Sequence, residues 1–237
     1  SWTQLGTDID GVTGDNFGRD VAVNIDGSIV AGGAYSNGTG TIRIYKYSKP
    51  GQTAGSWDTD GSWDILGSSI DGESGDSGMG MAVSLSSDGS IVASGSYSVN
   101  GVARIYQYST PGVTEGSWTI LGSAITGPGE LGRDLHLSSD GSIIAIGANR
   151  DNTNIGSTGI YKYSKPGQTA GSWDTDGSWE ILGAKIPGVD PNGRSGFNVR
   201  ISADGSIVAM AGPWGVGQVQ IYKYSDPGQL DGSWEIL

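Results

Sequence analysis

A Ser-Trp-x-x-Leu string returns along the chain at Trp2/Leu5, Trp63/Leu66, Trp118/Leu121, Trp179/Leu182 and Trp234/Leu237, so successive tryptophans stand 61, 55, 61 and 55 residues apart. Ile-Tyr pairs at Ile44-Tyr45, Ile105-Tyr106, Ile160-Tyr161 and Ile221-Tyr222 keep the same register, as do Pro-Gly pairs beginning at Pro50, Pro111, Pro166 and Pro227. Residues 44–63 and 160–179 are identical, which makes the chain two near-copies of a 116-residue double unit. A period of this length implies stacked units, each unable to bury its apolar face alone. The expected units are approximately 2–62, 63–117, 118–178 and 179–237, within a single domain spanning 1–237.

Each unit reads as strands. Val21, Val23 and Ile25 alternate with Asp20, Ala22 and Asn24, and the pattern recurs as Met81, Val83 and Leu85, then Leu135 and Leu137, then Val199 and Ile201. Each run ends in Asp-Gly-Ser, at Asp26, Asp88, Asp140 and Asp204. There Asp bonds its own backbone and Gly accepts positive φ, which makes a tight hairpin. The returning strand is apolar on both faces, as in Ile29-Val30-Ala31 and Ile91-Val92-Ala93, and this fits a strand sandwiched between two layers. A third strand (Ile42 to Tyr47 and its equivalents) and the Trp-x-x-Leu segment bring the count to four, the number in one propeller blade. No segment holds a helical period, and glycine recurs every few residues. The expected fold is all-β, a β-propeller of four-stranded antiparallel blades.

The chain's 13 basic residues against 25 acidic ones leave a net charge of −12, which repels a phosphate backbone or an anionic membrane. With no cysteine and the single histidine His136, thiolate chemistry, Cys-ligated metal and a Ser-His relay are excluded. No apolar run is long enough for a membrane helix.

Phe17-Gly18 opening the first unit and Gly33-Ala34 closing its second strand resemble the FG-GAP repeat of extracellular β-propellers. Later units keep Gly78, Gly132 and Gly196 at the first mark, and Gly95-Ser96, Gly147-Ala148 and Gly212-Pro213 at the second. The resemblance implies an extracellular or surface-exposed propeller used in adhesion, recognition or assembly. The family's calcium loop is replaced here by the Asp-Gly-Ser hairpin, so calcium does not carry over. Four blades is the lower limit of the ~4–8 range, and Ser1–Leu5 is the same element as Ser233–Leu237. If four blades close, one copy of that element is surplus, and a surplus strand invites pairing with another copy of the chain.

Candidate sites are few. Asp58-Thr59-Asp60-Gly61 and Asp174-Thr175-Asp176-Gly177 place oxygen ligands at alternating positions as calcium loops do, but lack the third and bidentate carboxylates. They read as turns, close to the Asp-box of sialidase propellers, and no metal or cofactor is expected. Asp8, Asp10 and Asp15, with Asp71, Glu73 and Asp76, form acidic connections that read as solvated loops. Asp20, Gly80, Asp134 and Asn198 take equivalent places on the innermost strand, with Ala22, Ala82, His136 and Arg200 two residues on. His136 and Arg200 break a ring of small residues and mark the best candidate pocket; polar residues at strand ends are the plainer account. Asp20 and Asp134 are the one carboxylate pair that a hydrolase reading would use. Most of the eight tryptophans are expected to pack between blades, leaving Trp57, Trp173 and Trp214 as the exposed aromatics suited to stacking on a sugar. Asn37-Gly38-Thr39 is a lone glycosylation sequon.

The expectation is a non-enzymatic extracellular or cell-surface repeat module with a structural or assembly role, partnered by other copies or surface proteins. A lectin-like or adhesive module, with glycan as its partner and calcium assisting, is the alternative.

Overall fold

The computed structural model describes residues 1–36, 38–49, 59–74, 76–96, 98, 100–110, 114–165, 175–226 and 229–237. Four antiparallel sheets follow one another along the chain. Blade 1 comprises Phe17–Val23, Ile29–Ala34, Thr41–Ser48 and Ser62–Ile65; blade 2 comprises Ala82–Leu85, Ile91–Gly95, Asn100–Tyr108 and Trp118–Ile120. Blade 3 comprises Leu131–Leu137, Ile143–Ala148, Ser157–Ser164 and Ser178–Ile181, and blade 4 comprises Asn198–Ile201, Ile207–Gly212, Gln218–Tyr224 and Trp234–Ile236. In blades 1 to 3 a short segment (Ile70–Asp71, Ile125–Pro128 or Ile186–Pro187) returns to pair with the third strand before the chain enters the next blade. The fold is an all-β propeller arrangement of four-stranded blades, as the repeats imply. Trp63 ends a blade instead of opening one, because Ser62–Ile65 pairs with Thr41–Ser48.

The hairpins form as their sequence dictates. Asp26 Oδ1 accepts the Ser28 N–H at 2.9 Å, and Asp88, Asp140 and Asp204 accept those of Ser90, Ser142 and Ser206 at 3.0 Å. Gly27, Gly89, Gly141 and Gly205 sit at φ of 76°, 72°, 75° and 73°, a left-handed conformation that L side chains rarely adopt. From these turns the strand register corrects one expectation. Ala22, Ser84, His136 and Arg200 face Ala31, Ala93, Ala145 and Ala209, so Ser84 is the equivalent of Ala22, and Ala82 that of Asp20. Gly80 and Ala82 therefore lie two residues out of the expected register. A strand repeats every two residues, so a two-residue slip leaves the in-out alternation intact and invisible to it.

The core lies between blades. Ile29, Ala31, Ile42 and Ile44 of blade 1 pack with Val83, Val92 and Tyr106 of blade 2. Ile91, Ala93 and Ile105 of blade 2 pack with Leu135, Leu137 and Ile144 of blade 3, and Ala145 and Ile160 of blade 3 with Val199, Ile201 and Val208 of blade 4. Neighbours Ile91 and Val92 thus serve different cores, which is why the second strand is apolar on both faces. The repeated tryptophans lock the rim. Trp63, Trp118, Trp179 and Trp234 donate Nε1–H to the carbonyls of Leu5, Leu66, Leu121 and Leu182, and pack on Tyr47, Tyr108, Tyr163 and Tyr224.

The four blades make an open arc. Val83, Leu135 and Val199 are 5%, 1% and 1% exposed, yet their blade 1 equivalent Val21 is 69% exposed. At the other end, Val219 and Ile221 are 70% and 43% exposed, where the equivalent Ile42 and Ile44 of blade 1 are fully buried. Among the described residues, no buried cluster joins blade 4 to blade 1.

Candidate functional site

The innermost strands converge on the axis of the arc, and their polar side chains first serve the joints. Asp20 Oδ2 accepts the Val83 N–H at 2.8 Å, Ser84 Oγ that of Leu137 at 3.0 Å, and Asp134 Oδ2 that of Val199 at 2.7 Å. His136 Nδ1 accepts the Ile201 N–H at 3.2 Å. Each group satisfies an inner-strand amide of the following blade that no sheet partner reaches. Burial, together with the nearby Arg200 charge, holds the His136 pKa below its ordinary value and favours the neutral ring that this acceptor role needs. Burial pushes the Asp134 carboxyl up, against the Val199 amide and Arg200 that favour its charge. Arg200 Nη1 lies 2.9 Å from Asp134 Oδ2 and also donates to the Val199 carbonyl.

Above this row lie two adjoining cavities. One, of about 290 Å³, is lined by Asp20, Asp134, Asn198 and Arg200 together with Arg19 and Arg133. The other, of about 370 Å³, shares Arg19, Met81, Arg133 and Phe197 and adds Tyr35, Glu130, Asn149, Arg150, Arg194 and Trp214. Five of the chain's seven arginines therefore gather at one end of the axis, in a molecule of net charge −12. Aromatic rings hold three of them: the Arg133 guanidinium lies 4.2 Å from the Phe197 centroid, Arg194 lies 4.7 Å from Trp214, and Arg19 lies 5.8 Å from Tyr35. Arg150 Nη1 pairs with Glu130 Oε1 at 2.7 Å.

Of the residues singled out in the sequence, Arg200 lines the first cavity and Trp214 the second, its ring edge-on to Phe197 at 4.7 Å. His136 is tied into a joint, and Asp20 and Asp134 both act as backbone acceptors. Trp57 and Trp173 lie outside the described residues, as do Asp58, Asp174 and Asn37. Asp60 and Asp176 are paired with Lys49 and Lys165. Of the acidic connections, Asp8, Asp10, Asp71 and Glu73 are exposed as expected of solvated loops, whereas Asp15 and Asp76 depart from that reading. Asp15 and Asp76 are buried, paired with Arg43 and Arg104, and accept the backbone amides of Val12 and Phe17 and of Glu73 respectively. In both pairs the arginine stands 28 residues further on, in the third strand of the same blade.

Sequence reasoning missed Arg19, Arg133, Arg150, Arg194, Phe197 and Asn149. Arg19 and Arg133 follow the equivalent glycines Gly18 and Gly132, a repetition that could have flagged them. Phe197 takes the same place after Gly196, while Asn149, Arg150 and Arg194 lie in the connections of blades 3 and 4.

No protein-family model matches the chain, and no curated protein matches it. Among solved structures it is similar to the hydrazine synthase of Kuenenia stuttgartiensis, with a TM-score of 0.52 and 15% identity over 86% of this chain and 51% of that one. TolB from Acinetobacter baumannii aligns with a TM-score of 0.44 and 19% identity over 92% of this chain and 42% of that one. The chain spans about half the length of the hydrazine synthase chain, and the likeness between them is one of β-propeller fold.

Proposed function

We propose that the chain is a non-enzymatic, extracellular repeat module of FG-GAP type with a structural role, a unit of a larger propeller ring or filament. The observation that carries the assembly role is the pair of unpartnered blade faces at the ends of the arc. Blade 1 presents Val21, Val23, Val30 and Tyr45, lining an apolar groove, and blade 4 presents Ile207, Val219 and Ile221. These are the residue types that meet at every internal joint, and full burial of such a side chain stabilises by about 1.5–3 kcal/mol.

The duplication supplies the fit. Blade 3 is the near-copy of blade 1 and blade 4 that of blade 2, so blade 4 of one copy meeting blade 1 of the next repeats the blade 2 to blade 3 joint. Polar groups match as well. Asn198, equivalent to Asp20 and Asp134, carries an acceptor suited to the Val21 N–H. A backbone series runs from the Ile25 N–H to the Ser87 carbonyl, from Ser87 to Ser139 and from Ser139 to Ala203, leaving the Ala203 N–H to meet the Ile25 carbonyl of a neighbour. Head-to-tail contacts of this kind build closed rings when the rotation closes and filaments when it does not. The extracellular assignment is supported by the FG-GAP resemblance.

Light scattering on the 237-residue chain tests the assembly role: particles of two or more copies are expected, and Val21→Asp should return them to the 24.3 kDa of one chain. A wild-type chain that stays at 24.3 kDa at all concentrations would refute it.

A further inference from the structure

Each internal joint is bridged by the leucine that follows a fourth strand. Leu66, Leu121 and Leu182 donate their N–H to the third strand of their own blade, at the carbonyls of Ile44, Ile105 and Ile160. Their own carbonyls accept Nε1–H from Trp118, Trp179 and Trp234 of the following blade, each at 2.8 Å. All three leucines are buried. The glycine after each adds a further bond across the joint, from Gly67, Gly122 and Gly183 to the carbonyls of Thr114, Thr175 and Leu230.

At the two ends of the arc these roles are divided between two residues. Leu5 accepts Trp63 Nε1–H at 2.9 Å and Gly6 donates to the Thr59 carbonyl at 3.0 Å, but Ser1–Leu5 has no third strand beside it. Leu237 donates to the Ile221 carbonyl at 2.9 Å and so makes only the contact within its own blade. Leu5 is accordingly half-buried and Leu237 is 70% exposed, while Trp2, equivalent to the four packed tryptophans, is fully exposed.

Blade 4 meeting the blade 1 of a neighbour brings both halves to one place. The neighbour's Ser1–Leu5, anchored through Leu5 and Gly6, and the resident Ser233–Leu237 then claim the same edge of Gln218–Tyr224, whose other edge is taken by Ile207–Gly212. One strand edge pairs with one strand. We propose that the joint forms by strand exchange with a second copy of this chain: the incoming Ser1–Leu5 displaces Ser233–Leu237 from blade 4, and Leu5 then fills both roles. This rests on the assembly reading and adds the strand that seals the joint.

The exchange is like for like along the edge. Trp2 takes the place of Trp234 on Tyr224 and at the Leu182 carbonyl, and Thr3 and Gln4 stand opposite Lys223 and Tyr222 as Glu235 and Ile236 do. The gain is at Leu5, which becomes buried as Leu66 is, and removal of its apolar surface from water favours the exchanged state. Retaining the resident strand would instead lift Leu5 and Gly6 off blade 1 and break the Gly6 bond to Thr59.

The chain has no cysteine, so introduced ones report the contact cleanly. Thr3→Cys and Lys223→Cys chains, altered at exposed positions, are mixed in oxidised and reduced glutathione, and a disulfide between the two is expected. Lys46→Cys, at the same place on blade 1 opposite Asp64 of the intact fourth strand, should link to Thr3→Cys at least about tenfold less. Trp2→Ala should raise the midpoint concentration of self-association about tenfold, and Trp234→Ala, which loosens the resident strand, should lower it about tenfold. An unfolding curve checks that Trp234→Ala stays folded, and Trp2→Ala, at a fully exposed side chain, carries the test without it. Self-association without the Thr3–Lys223 disulfide, or with a midpoint that Trp2→Ala leaves unmoved, overturns the exchange and leaves the blade-face contact standing. The disulfide in a chain whose association Val21→Asp does not weaken supports the exchange and overturns the blade faces as the contact. A chain that neither associates nor forms the disulfide overturns both.

Discussion

The Asp204 carboxylate is specified by its neighbours more than by burial. Asp204 Oδ1 takes the Ser202 hydroxyl at 2.6 Å, the Ser206 N–H at 3.0 Å and the Ser206 hydroxyl at 2.8 Å. These donors, the Ser202 hydroxyl foremost, pull its pKa down to about 2 from the ordinary 3.8. The charged form is thus favoured by folding, so the turn's contribution is complete above the ordinary carboxylate value and lost as pH falls through about 2. A carbon-detected NMR titration should find Asp204 among the last carboxyls to protonate, and Ser202→Ala should move it back toward 3.8; an unmoved midpoint would dissociate the shift from the serine. The Asp-Gly-Ser turn was legible in the sequence because all its partners lie within four residues. The arginine cavity was not, because its donors lie as far apart in the chain as Arg19 and Arg194.

At the scale of the element, the connections leading into blades 1 and 2 are each anchored by a buried ion pair. Asp76 takes Arg104 Nε and Nη2 at 3.1 Å, with Glu73 adding a third contact at 3.0 Å, and both Asp76 and Arg104 are 8% exposed. Arg104→Met removes one partner and strands a buried carboxylate, a change that costs about 3–5 kcal/mol. Urea unfolding of this variant should show a loss in that range, whereas Lys49→Met, whose partner Asp60 is 74% exposed, should cost about 0–1 kcal/mol. Equal losses would mean that the buried pair has no special weight. The strands themselves were legible from alternation and turns, but the acidic connections were not. Composition identifies Asp15 and Asp76 as polar, and only the folded third strand delivers Arg43 and Arg104 to cover them.

For the molecule as a whole, the joints between blades set what can assemble. Gly33, Gly95 and Gly147 face Gly80, Gly132 and Gly196 so closely that a Cβ would stand 2.0, 2.0 and 1.9 Å from the opposing carbonyl oxygen. Blade 4 carries Ala211 at this place, paired to Val219 as Gly33 is to Ile42. In the proposed assembly, a joint between blade 4 and the blade 1 of a neighbour would therefore sit wider than the internal joints and be its weakest link. Ala211→Gly should tighten it, shifting the midpoint of self-association to lower concentration by about tenfold, since overpacking costs typically 1–3 kcal/mol. Sedimentation of the two chains at matched concentrations checks this, and weaker association of the variant would place the contact elsewhere.

The sequence by itself determined the repeat, the four-stranded blade, the hairpin chemistry and the double-layered second strand. All of these depend on local spacing and on a periodicity that identical units must share. Tertiary structure alone decided which equivalent residues are covered. Val21 and Val199 occupy the same place in their units, yet one faces water and the other a neighbouring blade, because burial depends on what stands alongside. It likewise decided that residues from four separate blades meet at one end of the axis, since the arc, and not any local pattern, brings Arg19, Arg133 and Arg194 around a common space.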